Sequence, residues 1–309
     1  MNQKNTLWTR LFALLIVVGG GCSAPVPATE SHPLYGKEQF KTYWYSGLAE
    51  INSYDLDQSR YGESRNGAAV LIFVTEDLSR QNQVKLDDPA QAAEAQKMGV
   101  LKMNFTKNFV TGVYPYSMML SVFTPIEAWK DPRTVKASMS VQEWCGQVYS
   151  QLNYHQQGYD LVAHSYFEKE GDEQRHLEEA WLEDELWNRI RLNPDELPEG
   201  PLRLIPGLFF SRLMHRDVTV LDAAATITRT DTIDNYRITI PSQQRELDIR
   251  FESTFPHRIV GWTEKFPERD QQQITRATLK KTLREAYWKK NKNEFLNLRD
   301  SLGLSHRNY

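Results

Sequence analysis

The chain has 309 residues, 25% of them charged and 40% hydrophobic, a balance that excludes a disordered or collagen-like polymer. A mean hydropathy of −0.59 excludes a multi-span membrane protein. The 37 Lys+Arg against 40 Asp+Glu, net −3, leave no basic excess of the kind nucleic-acid binding uses, and two cysteines exclude a disulfide framework.

The first feature in chain order is a targeting signal. Lys4 and Arg10 precede the apolar run from Leu11 to Val18, and Gly19, Gly20 and Gly21 lead into Cys22. A short apolar core between basic and small residues is a secretory signal, well below the ~20 residues a membrane span needs. The cysteine directly after the glycines resembles a bacterial lipoprotein signal, in which that residue is acylated and becomes the first of the mature chain. The position three before it, usually Leu in that pattern, is Gly19 here. An ordinary cleaved signal with a cysteine nearby is the alternative. The following run, Ser23 to Pro33, is rich in Pro and small polar residues and reads as an extended tether. The predicted organisation is therefore a signal over 1–21, a tether over 22–33 and a body over 34–309. Residue 23 is Ser and not Asp, so the best-known sorting rule favours the outer membrane over the inner. Acyl chains contribute ~0.8 kcal/mol per buried CH₂, so several on Cys22 hold a protein stably on a membrane.

The body reads as mainly β, a curved, partly open antiparallel sheet or half-barrel with a C-terminal helix and short helical insertions. Phe40 to Tyr54 opens with Tyr43, Trp44 and Tyr45 and then alternates, and Gly67 to Asp77 is a continuous apolar, β-branched run. Asp88-Pro89 followed by an Ala-rich stretch up to Gly99 predicts a short surface helix. Val100 to Thr124 predicts two strands with Lys107-Asn108 as the turn, and Thr134 to Asn153 with Tyr159 to Glu168 predict three more. Trp181, Leu182, Leu186 and Ile190 have helical spacing within 178–192, ended by Asn193-Pro194. The Pro- and Gly-rich stretch 193–217 marks a soft internal boundary. Four further strands follow over 218–229, 236–240, 247–251 and 259–266. The strict alternation of Leu247 to Glu252 pairs it with Tyr236 to Ile240 as a hairpin. Leu279, Leu283, Ala286, Tyr287, Leu298 and Leu302 predict a C-terminal helix over 278–302.

Candidate chemistry is sparse. Cys145 could act as a nucleophile if His155, His164 or His215 served as its base, whereas a cysteine among strand residues is more often a small buried hydrophobe. Glu173 and His176 have the E-x-x-H spacing that puts both on one helix face. Only one such motif is present, and a solvated acidic turn explains it as well. Nine Lys/Arg and three acids lie from Arg276 to Arg307, suited to anionic headgroups or simply to a wet helix face. Met118, Met119, Phe123, Phe209 and Phe210 are candidate lining residues for a greasy ligand in the concavity, plain core packing being the alternative. No G-x-S-x-G, H-E-x-x-H, P-loop or G-x-G-x-x-G occurs, and neither a cofactor nor a metal is implied.

The runs Trp44 to Glu63, Val141 to Asn153 and Phe255 to Phe266 resemble a family of uncharacterised bacterial lipoproteins sometimes mislabelled "septum formation inhibitor Maf". Maf nucleotide pyrophosphatases begin with a Ser-Pro-Arg-Arg type motif, and no such run occurs here. The family implies no catalytic residues. The expected function is a lipid-anchored, non-enzymatic envelope protein that faces the periplasm, is held through Cys22, and binds a lipid, a glycan or an envelope protein partner but not nucleic acid. A cysteine-dependent enzyme and a structural factor in envelope assembly or division are the alternatives.

Overall fold

The computed structural model describes residues 38–269 and 271–304, so the signal, Cys22 and the tether lie outside the described residues. The body is mainly β, as its alternation predicts. It opens with helix α1 (Glu38–Trp44) and runs through β1 (Ala49–Arg60), β2 (Glu63–Ser79), β3 (Lys97–Thr111) and β4 (Tyr114–Pro125). β5 (Lys136–Glu143), β6 (Gly146–His155), β7 (Gly158–Ser165) and β8 (Glu173–Glu178) complete the first half. The two-residue β9 (Trp181–Leu182) leads into α2 (Glu183–Leu192), and α3 (Leu208–Leu213) follows β10 (Gly200–Ile205). β11 (Leu221–Thr228), β12 (Ile233–Ile240), β13 (Arg245–Glu252), β14 (Ile259–Glu268), β15 (Gln271–Glu285) and the short α4 (Asn297–Ser301) finish the chain.

All fifteen strands form one sheet in the order 8-7-6-5-4-3-2-1-15-14-13-12-11-10-9. Neighbours are antiparallel except β9 and β10, and the sheet does not close. Strands before and after 193–217 therefore share that sheet. The two outermost strands, β8 and β9, are separated by only two residues, so both open edges meet at a seam. Side chains bridge it: Arg203 pairs with Glu178, and Arg175 Nη2 donates to the Val218 carbonyl at 2.6 Å.

The hairpin read from the alternation of 247–252 forms in the expected register, with Ile238 opposite Leu247 and Tyr236 opposite Ile249. Leu247, Ile249 and Phe251 enter the core from one face. The same period-2 arithmetic puts Leu71 and Phe73, Leu101, Met103 and Phe105, and Leu120 and Val122 into one core with α2 and α3.

Several sequence expectations are corrected. Thr278 to Leu302 is not a helix: its first part is the central strand β15, paired with β1 and β14. Leu279 and Leu283, four apart, fit one helix face, but the β1–β15 register slips between Ser53 and Tyr54, leaves Lys280 as an extra residue and turns the two leucines to different faces of the sheet. Leu279 packs on the main core, and Leu283 packs on a separate small cluster with Ile51, Val74 and Leu302. Thr275, Thr278 and Thr282 add β-branched preference for a strand. Lys107-Asn108 is not a turn, since both residues pair with β2 and β4; the chain turns at Gly112 (φ +62°) instead. The Asp88 side chain accepts from the Ala90 N–H at 3.1 Å as a cap should, yet only a 3₁₀ turn over 94–96 follows. Its Ala-rich stretch carries no large apolar face to dock, and so short a helix is marginal alone. Tyr43 and Trp44 belong to α1, with the strand starting only at Ala49. α2 starts at Glu183 rather than Glu178, because Glu173–Glu178 joins the sheet edge as β8.

Candidate functional site

The five proposed lining residues do not form one lining. Along β4, Met118 faces the core, and Met119 and Phe123 face the outside. Phe123 packs beside Met98, Val100 and Val135 in a small outer cluster, under Lys102 Nζ at 5.7 Å. Phe209 and Phe210 lie on α3: the first sits 5.3 Å from Phe105, the second 5.5 Å from Phe266 with the Arg245 guanidinium 4.0 Å over its ring. Composition groups Met118 with Met119, but adjacent strand residues face opposite ways.

The concave face is occupied. Trp187 of α2 meets Trp262 at 5.2 Å and Phe105 at 5.4 Å, and Tyr54 meets Trp262 at 4.9 Å. All ten residues of α2 are buried. Its polar residues are tied to the strands around it. Arg191 makes two bonds to Glu50 of β1 (2.6 and 2.7 Å), and Asn52 donates to the same carboxylate at 2.6 Å. Burial alone would raise the Glu50 carboxyl, but the Arg191 charge and these hydrogen bonds outweigh it and hold it down at about 2. Arg245 Nη2 donates to Glu183 at 2.7 Å and its Nε to Glu264 at 2.7 Å. Asn188 donates to the Leu101 carbonyl and Thr124 Oγ1, both at 3.0 Å. Beside this frame, Asp184 accepts from the Leu208 N–H at 3.0 Å; burial, reinforced by the Glu183 charge, raises its carboxyl to about 7. Burial also lowers the Lys107 ammonium. The space bounded by Lys107, Asp184, Trp187, Phe209 and Arg245 is about 30 Å³, the share of a single water and far too small for an acyl chain.

A larger recess, about 240 Å³, opens where the sheet fails to close. β5, β6 and β7 supply Met139, Val148 and Ala163; the 169–171 loop and Arg175 form one rim; α3 contributes Leu208, Ser211 and Arg212. The same end of the body carries the β1–β2, β3–β4, β5–β6 and β7–β8 connections. Their tips expose Val113 (75%), Trp144 (69%) and Tyr166 (66%). Sequence reasoning missed this recess because four separate segments build it. Its one local signal was Arg212, a charge inside the apolar Leu208 to Leu213 run.

Cys145 lies exposed in the β5–β6 turn and not among buried strand residues. Its neighbour is an acid: the Cys145 N–H donates to Glu143 Oε2 at 2.7 Å, and the hydrogen bond and charge of that carboxylate push the thiol up, away from the reactive thiolate. The candidate bases are engaged elsewhere, His164 with Asp172 (3.3 Å) and His215 with Glu170 (2.6 Å), and His155 ends β6 at the far side of the body. Glu143→Gln is expected to speed iodoacetamide alkylation of Cys145 several-fold at pH 8, measured by mass spectrometry against time; an unchanged rate would remove Glu143 as the cause.

Glu173 and His176 are on a strand, so three-residue spacing puts them on opposite faces, and His176 Nδ1 instead meets Asp160 at 2.8 Å. Among the described residues no group of three or more His, Cys, Asp or Glu is placed to hold a metal. The basic run from Arg276 is not a helix face. Lys280 pairs with Asp55 (2.8 Å), and Arg284 donates to the Tyr43 carbonyl (2.7 Å). No described helix is long and apolar enough to cross a membrane. Comparison with protein-family models, curated proteins and solved structures finds no match.

Proposed function

We propose that this chain is a non-enzymatic lipoprotein of the bacterial envelope, anchored through acylated Cys22 on the outer membrane, whose body binds a partner at the end where the seam opens. The observation that carries the choice of partner binding over lipid enclosure is the filled concavity. α2 and the Phe105–Trp187–Trp262 cluster occupy the volume an acyl chain would need. Exposed large apolar tips around an open recess are a feature of recognition surfaces. The setting of Cys145 gives the enzymatic alternative no support.

Radiolabelled palmitate is expected to enter the wild-type protein and not a Cys22→Ser variant, with the label in the outer-membrane fraction. A wild-type chain that stays unlabelled and cytosolic would end the proposal. Mass spectrometry of cross-linked envelope material is expected to show one recurrent partner, a protein or a glycan, that is lost when Trp144 and Tyr166 are changed to Ser. A recurrent partner unaffected by those changes would move the surface elsewhere.

A further inference from the structure

Among the described residues every other fully buried arginine holds a carboxylate: Arg189 pairs with Glu185, Arg191 with Glu50, and Arg245 with Glu183 and Glu264. Arg60 and Arg212, 4% and 5% exposed, do not. Arg60 donates Nη1 to the Leu213 carbonyl and Nη2 to the hydroxyls of Tyr61 (3.1 Å) and Tyr116 (3.3 Å), all neutral oxygens, and its Nε has no partner. Arg212 lies 4.5 Å over the Phe167 ring, and neither its Nε nor its Nη1 has a partner. The neighbouring Ser211 Oγ, on a residue 2% exposed, is also unpaired.

Of the nearby acids, Glu170, Glu173 and Glu143 are engaged, and Asp217 of the same lining is exposed to solvent. Glu170 accepts from Ser165 Oγ and meets His215 Nδ1, each at 2.6 Å; Glu173 lies 3.0 Å from Arg175; Glu143 holds the Cys145 N–H. A buried guanidinium with unsatisfied donors is strongly unfavourable; Arg212 lines the recess and Arg60 lies outside its lining, and the charges of Glu170 and Glu143 act on Arg212 without an ion pair to either. Such an arrangement persists where something outside the chain supplies the negative charge.

We propose that the seam recess binds the oxyanion group, carboxylate or phosphate, of a small amphipathic molecule, with Arg212 and Ser211 as its contacts, Arg60, outside the lining, as a second positive charge, and Met139, Val148 and Leu208 against its apolar part. The volume of about 240 Å³ limits that apolar part to a short chain or one ring. This names the ligand chemistry of the opening proposed above and rests on that reading.

The test is calorimetric titration of the full-length protein in non-ionic detergent and chloride-free buffer with hexanoate, hexyl phosphate, hexanol and inorganic phosphate. Saturable binding is expected for hexanoate or hexyl phosphate, weaker binding for inorganic phosphate and none for hexanol; the tighter of the first two identifies the oxyanion. Arg212→Gln is expected to weaken the tighter ligand about 10- to 100-fold, the range of a hydrogen bond to a charged group. Ser211→Ala, a smaller change that keeps the fold if Arg212→Gln does not, should weaken it several-fold. Binding of hexanol as tight as that of the anions, no anion binding at all, or affinities unmoved by both variants would each overturn the inference. Lost anion binding with Trp144-dependent partner capture intact would overturn this inference alone, and loss of both would overturn the reading beneath it.

Discussion

Arg191→Ala is expected to lower the unfolding free energy by about 3–5 kcal/mol, read as a shift of the urea midpoint. The side chain is fully buried, pairs twice with a fully buried Glu50, donates to the Pro256 carbonyl at 3.0 Å and stacks 4.6 Å over Phe73. Removing it leaves a carboxylate in the interior with only Asn52 and the Tyr43 hydroxyl as donors. A typical domain has about 5–15 kcal/mol in total, so the loss is a large fraction of the whole. The double change Glu50→Leu with Arg191→Met should recover most of it, because apolar replacement of both partners also removes the desolvation cost. A single variant within 1 kcal/mol of wild type would mean that α2 is not held by this pair.

The second large effect is on pH dependence. Asp184 titrates near 7 in the folded protein against 3.8 ordinarily, so the folded state binds its proton more tightly than the unfolded chain does. Its contribution is complete below pH 3.8, declines as pH rises, and is gone above 7. At about 1.36 kcal/mol per unit this amounts to about 4 kcal/mol. Glu50 behaves oppositely: held at about 2 against 4.5, its contribution is present above pH 4.5 and lost as pH falls through 2. Wild-type stability is therefore expected to peak in mildly acid solution. Asp184→Asn, which keeps the acceptor for the Leu208 N–H but cannot ionise, should flatten the alkaline side between pH 4 and 8. The facing charges Glu183, Lys107, Arg245 and Glu264 remain in both proteins, so the difference between the two curves isolates Asp184. Parallel curves would place the titration elsewhere.

The sheet was legible where side chains alternate strictly, as in Leu247 to Glu252, because a half-buried strand writes its period into the sequence. It was illegible where a bulge breaks the period, and Leu279 and Leu283 then read as a helix. Spacing misled again at Glu173 and His176, since three residues mean one face of a helix and two faces of a strand. The ionic frame around α2 could not be read at all. Glu50 and Arg191 are 141 positions apart, and nothing local distinguishes a buried arginine from a wet one. The seam recess failed for the same reason, since Arg212 comes from α3 and the strands facing it are β5, β6 and β7.

The strand order also sets a schedule for biosynthesis. The first and last strands are partners, Ala49 opposite Glu285 through Asp57 opposite Arg276, and the middle of the chain forms the outer edges. A nascent chain can zip β1 to β8 hairpin by hairpin, yet β1 keeps a bare twelve-residue edge until the final strand arrives. Loss of even the last forty residues would leave that edge permanently open to other chains. A holding chaperone would therefore be needed longest at the amino-terminal strand, the one made first.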